Sequence, residues 1–183
     1  AVTGELSDQH QSVVEPFEMG AQTLMCQGRV KNKSGFSGDD LIANGSAIHV
    51  YDNQLMILTD GGKIIDYTAE PGYFIVDNSS MPSMFQGDFK GTLKDAWERF
   101  KFNGSSPKTQ KVFYINTQEI KGIRFGTRNA VNYFDSFYNA ELFLRAHGTY
   151  SIRINNPLLF YANACPRNAV RVEVEDINEQ YLN

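Results

Sequence analysis

Three tight-turn signals, Asp52-Asn53, Gly61-Gly62 and Pro71-Gly72, punctuate the apolar stretch between Ala47 and Val76. Asx and Gly residues admit the positive φ that two-residue hairpin turns require, and Pro before Gly presets a turn. The segments between them, 47–51, 54–59, 63–67 and 73–76, are rich in Ile, Val, Leu and Tyr. Such spacing confines the chain to short strands and predicts a meander of tight hairpins.

A second group of β signals follows at 112–115, 120–125 and 131–134, with a long alternating run over 140–154 that reads as one strand bent at Gly148. Between the groups, 77–86 reads as a loop. Thr92 with Asp95 then opens an amphipathic helix whose Leu93, Ala96, Trp97 and Phe100 share a face, the single Trp acting as a core anchor. Asn155-Asn156-Pro157 supplies an N-cap and a first-turn Pro for another helix, which Cys165-Pro166 closes. From Ala169 onward Val170, Val174, Ile177 and Tyr181 suit a helix and Val170, Val172 and Val174 a strand. The acidic run Glu173, Glu175, Asp176 favours the helix. Residues 1–20 are polar and acidic, and 28–45 have loop composition. The organisation expected is a polar lead-in and loop (1–44), an α+β body (45–165) and the start of a C-terminal helix (166–183).

The 183 residues suit one domain, and 42% apolar with 13% aromatic residues gives a folded body with a Phe- and Tyr-rich core. A formal charge of −4 supplies no global attraction to nucleic acid. Cys26 and Cys165 stand apart, without the clustered ligands of a zinc site, and read as two reduced thiols of a cytosolic protein, a single disulfide being the other reading. No apolar run is long enough to span a bilayer, and the first residues lack a signal peptide's basic and apolar regions. The absent initiator Met and the ending EQYLN read as a piece of a longer protein.

Chemistry is sparse. Among His10, His49 and His147, only His147 with Cys165 offers a nucleophile–base pair, and there is no GxSxG elbow. The acidic groups Asp39-Asp40 and Glu173, Glu175, Asp176 lack EF-hand spacing and suit solvated surface, while Gly61-Gly62 is a hairpin rather than a phosphate cradle. A stripe of Lys121, Arg124 and Arg128 with Phe125 and Tyr133 resembles a single-stranded nucleic-acid platform, but the acidic balance and the lack of an RNP-like motif weigh against it. Neither a catalytic centre, a metal nor a cofactor is expected.

The order of motifs carries a family resemblance. The stretch SAIHVYDNQLMILTDGGKIIDYTAEPGYFIVDN resembles the opening of a stomatin/prohibitin/flotillin (SPFH, band 7) domain, and KVFYINTQEIKGIRFGTRNAVNY with AELFLRAHGTYSIRINNPLLFYAN resembles its remainder. Tyr114 to Glu119, Phe125-Gly126-Thr127 and Gly148-Thr149-Tyr150 match the bacterial virion-core-protein-like subgroup in order. The resemblance implies an α+β fold with a twisted, mostly antiparallel sheet and a few packed helices. It further implies a non-catalytic scaffold that forms homo-oligomers through segments largely absent from this chain. Peripheral association with membrane lipid or a membrane protein at the inner face of the plasma membrane, from the cytoplasm, is also implied. Met81, Met84 and Phe85, apolar residues in loop-like sequence, are the expected lipid or partner contacts. Two alternatives stand beside this: a soluble sugar- or peptide-binding β-sandwich with aromatic platforms, and a Cys165/His147 hydrolase.

Overall fold

The structure, a computed structural model, describes residues 13–32, 34–38, 42, 46–76 and 110–181. The chain divides into two compact units, one of residues 1–117 with 154–183, the other of residues 118–153.

In the first unit, β2 (Thr23–Asn32) is the axis, because its first six residues are buried and need partners along both edges. On one edge lies β8 (Gln110–Asn116), with Met25 opposite Ile115 and Gln27 opposite Phe113. The other edge is shared by β13 (Arg171–Glu173), beside the first half of β2, and β1 (Val13–Pro16), beside the second. They meet at Gln27, whose N–H donates to the Val170 carbonyl (2.8 Å) and whose carbonyl accepts from Phe17 N–H (3.0 Å). Short β3 (Gly35–Phe36) pairs with the far end of β2. Beyond β8 come β5 (Gln54–Asp60) and β6 (Lys63–Thr68), and beyond β1 come the parallel β4 (Ala47–Val50) and then β7 (Gly72–Ile75). Among the described residues this is one nine-stranded sheet, antiparallel except between β1 and β4.

Strands β4 and β5 are separated within the sheet by β1, β2 and β8, yet only Tyr51, Asp52 and Asn53 connect them. So short a link forces the sheet to curl, and the enclosed face holds the core: Val14, Cys26, Ile48, Met56, Val112 and Tyr114 among others. Tyr114 crosses this interior, its hydroxyl donating toward the carbonyls of His49 on β4 (2.8 Å) and Val14 on β1 (3.2 Å). Burial holds that hydroxyl well above its ordinary pKa, so it stays a donor. Room for the ring comes from Gly28, where a Cβ would lie 2.9 Å from both the Tyr114 ring and Val14.

The described strands bear out a mostly β body with few helices, and they correct four details. The turn at Gly61-Gly62 (φ 57° and 81°) does make β5 and β6 a hairpin. The turn at Asp52-Asn53 does not pair its flanking strands, because β5 is apolar on both faces and takes longer ladders from β6 and β8. Residues 13–32 are not lead-in and loop: Leu24, Met25 and Cys26 place β2 at the sheet centre, and the polar residues after Gly28 lie toward its exposed end. The run over 140–154 is two strands, β11 (Ala140–Leu144) and β12 (His147–Ile152), with different partners and a break at Arg145-Ala146. After Ala169 strand and helix follow in succession, β13 and then α2 (Val174–Tyr181).

Helix α1 (Pro157–Ala164) starts as its sequence indicates: Asn156 Oδ1 accepts from Leu159 N–H (3.0 Å) and Pro157 takes the first turn. Tyr161 lays its ring against Phe113 of β8, centroids 5.2 Å apart. The end of the chain is pinned by Arg171. Its guanidinium reaches the Glu18 backbone carbonyl, Glu173 Oε1 (2.5 Å) and Thr23 Oγ1 (3.4 Å), while Thr23 Oγ1 donates to Glu173 Oε1 (2.8 Å). The expected helix at 92–100 with Trp97 lies outside the described residues.

Candidate interaction surface

The second unit is a single long hairpin. β9 (Ile120–Gly126) pairs with β12, and β10 (Val131–Asp135) pairs with β11. Thr127 and Ala146 carry the pairing across the break, Thr127 N–H donating to the Ala146 carbonyl (2.9 Å) and Ala146 N–H to Thr127 Oγ1 (3.1 Å). At the tip Asp135 Oδ1 accepts from the N–H groups of Phe137 (2.9 Å) and Tyr138 (3.1 Å), and Asn139 takes φ 51°. That Asx cap explains why Asp-Ser-Phe-Tyr-Asn makes the turn.

Register sets the chemistry of its two faces. Val131 stands opposite Leu144 and Tyr133 opposite Leu142 on one face; Asn132 stands opposite Phe143 and Phe134 opposite Glu141 on the other. Both faces therefore carry large apolar groups, and every residue of β11 is exposed. Exposure reaches 85% at Phe137, 76% at Tyr138 and 68% at Phe143. Only Ile120 and Ile123 of this unit are buried apolar side chains. Five Lys and Arg face three Asp and Glu within 118–153, so the unit is net +2, leaving the remainder of a −4 chain at −6. Near the hairpin's start the Glu119 carboxylate accepts from Ser151 Oγ (2.7 Å), and this bond with the charges of Lys121 and Arg153 holds it below its ordinary pKa.

The first unit carries a polar cluster on the side of the sheet away from the core. Glu15 accepts from Lys31 Nζ (2.8 Å) and Tyr51 hydroxyl (3.3 Å), with His49 Nδ1 3.6 Å away. His49 stacks on Tyr73 (4.1 Å) and tilts against Tyr51 (4.0 Å), so these rings cover one another instead of forming an open plate.

The residues singled out in the sequence are dispersed. Met81, Met84 and Phe85 lie outside the described residues, as do His10, Asp39 and Asp40. Lys121, Arg124, Arg128, Phe125 and Tyr133 all belong to the hairpin unit and are exposed or nearly so. His147 is exposed on β12, whereas Cys165 ends α1 in the other unit. Both cysteines are free, and burial pushes each thiol up to about 12, which leaves little thiolate at neutral pH. Asp176 of the acidic run has a structural task, its Oδ2 accepting from Glu173 N–H (2.7 Å) at the start of α2. Among the described residues no group of three His, Cys, Asp or Glu could hold a metal, and no helix is long and apolar enough to cross a membrane. The exposed tip of the hairpin was missed by reasoning from sequence. Its signal was apolar residues at both parities of a strand pair, Tyr133 and Phe134, then Leu142 and Phe143.

Comparison with known proteins fits this picture of a β-rich body. The chain is 24% identical over 115 residues to the uncharacterized protein YdjI of Bacillus subtilis, an alignment covering 63% of this chain and 32% of that protein, so it spans about a third of the relative's length. No solved structure matches it. The model of the SPFH domain-Band 7 family matches residues 37–183, from just after β3 through β4 to α2 and with the whole hairpin. On that match the chain belongs to the SPFH domain-Band 7 family, whose domains are in general non-enzymatic scaffolds.

Proposed function

We propose that this domain, of the virion-core-protein-like kind, works as a non-catalytic scaffold that joins copies into an assembly and brings it to a membrane surface from the cytoplasmic side. The observation that carries the reading is the hairpin of 118–153, which leaves large aromatic side chains exposed on both faces while the described strands of the other unit enclose a core. Monomers rarely leave so large an apolar patch open without a use in contact. Membrane lipid or a membrane protein is the second partner, with Met81, Met84 and Phe85 as its contacts. Liposome flotation tests this part: the protein floats with vesicles, and M84S with F85S reduces the floated fraction. Equal flotation of wild type and variant removes those three residues from the reading, and absence of flotation removes direct lipid contact.

A further inference from the structure

We infer that Arg29 anchors a binding site for the carboxylate of a small apolar acid, on the side of the sheet away from the core and beside Phe17 and Phe36. The inference goes beyond the scaffold reading and concerns a different surface.

Strand geometry builds the site. Arg29 and Lys31 stand two positions apart on β2 and so share one of its faces. The Arg29 guanidinium lies over the Phe17 ring, its carbon 3.9 Å from the centroid, and Lys31 Nζ lies 5.6 Å from the Phe36 centroid. The two rings meet edge to face at 5.2 Å. Stacking on Phe17 occupies a face of the guanidinium, whereas its N–H donors lie in the plane and remain for another group.

Charge shows which group is missing. Glu15 stands opposite Arg29 in the β1–β2 register, yet its carboxylate serves Lys31 Nζ (2.8 Å) and the Tyr51 hydroxyl (3.3 Å). Among the described residues Arg29 has no ion-pair partner, and its half-buried side chain keeps a buried Nε without a hydrogen-bond acceptor. A buried donor left unmade is costly, so an acceptor from outside the chain gains what the fold does not supply.

The same charges select the acceptor. Lys31 and Glu15 offset one another, which leaves one positive charge, at Arg29. A monoanion balances it, whereas a phosphate dianion would bring a second negative charge beside the Glu15 carboxylate of the adjacent strand. A planar carboxylate also meets a guanidinium edge through two parallel hydrogen bonds. Phe36 is 39% exposed and gives the ligand an apolar neighbour, so an acid with a hydrophobic body suits the site better than a bare carboxylate.

The test is a titration of the ¹⁵N-labelled full chain with sodium benzoate, acetate or inorganic phosphate at pH 7 and constant ionic strength, followed by amide and Arg Nε–H chemical shifts. Benzoate is expected to give saturable shifts at Arg29, Phe17 and Phe36, with half-saturation on the order of 10 mM. Acetate, without the ring, binds roughly tenfold more weakly, and phosphate binds more weakly than benzoate. R29Q abolishes the benzoate shifts. R29K keeps the charge but loses the paired bonds, and weakens binding about tenfold. Far-UV circular dichroism matching wild type verifies the fold of each variant, and R29K decides alone where R29Q does not fold. The inference is overturned if benzoate gives no saturable shift up to about 0.1 M. It is overturned equally if the folded variants bind like wild type, or if phosphate binds as tightly as benzoate and the surface is a general anion site. None of these outcomes bears on assembly or membrane contact, so the scaffold reading is tested separately.

Discussion

Gly28 carries more structural consequence than its place in a loop-like composition suggests. Its backbone passes against the Tyr114 ring and Val14, so G28A must displace one of them, at about 1–3 kcal/mol, measurable by urea unfolding. Removing the hydroxyl that bridges β8 to β1 and β4 with Y114F is expected to cost about 1–2 kcal/mol. Neither role was legible in sequence, since the ring that needs the space lies far along the chain. Glu15 gives a pH dependence. Burial raises its pKa, but the Lys31 hydrogen bond and charge, with His49 close by, outweigh that, and the folded value falls below the ordinary 4.5. A lowered carboxylate pKa stabilises the fold above its unfolded value and loses that contribution as pH drops through the folded one. Acid titration followed by far-UV circular dichroism is therefore expected to show a shallower loss of stability below pH 4.5 in E15Q than in wild type.

At the level of elements, legibility followed locality. Helix α1 was readable because its start is written in adjacent residues, Asn156 and Pro157, and N156A is expected to lower thermal stability by about 0.5–2 kcal/mol. The Gly61-Gly62 hairpin was readable for the same reason. Which strands pair beyond a hairpin is a decision made by burial across the whole sheet. The Asp52-Asn53 turn therefore looked identical in kind to Gly61-Gly62 and yet separates two strands that never pair. β13 was half-legible: three alternating valines gave its period, but the edge of β2 it completes lies about 145 positions upstream.

For the whole molecule, the two units are expected to differ sharply in hydrogen exchange. Amides of β5 and β8, buried and paired on both edges, should exchange slowest, and those of β10 and β11 fastest while the protein is dilute and monomeric. Protection of β10 and β11 equal to that of β8 would refute this ordering. The family could be reached from motif order, but the interaction surface could not, because strand alternation gives the parity of a residue and not what covers it. β13 has one more consequence, in how the protein is made. Until Arg171–Glu173 has left the ribosome, Thr23–Cys26 shows a bare apolar edge for roughly 7–30 s at ordinary translation speed. A nascent chain in that interval is exposed to polysome neighbours carrying the same bare strand, so slow codons between these segments should lower soluble yield without altering the finished protein.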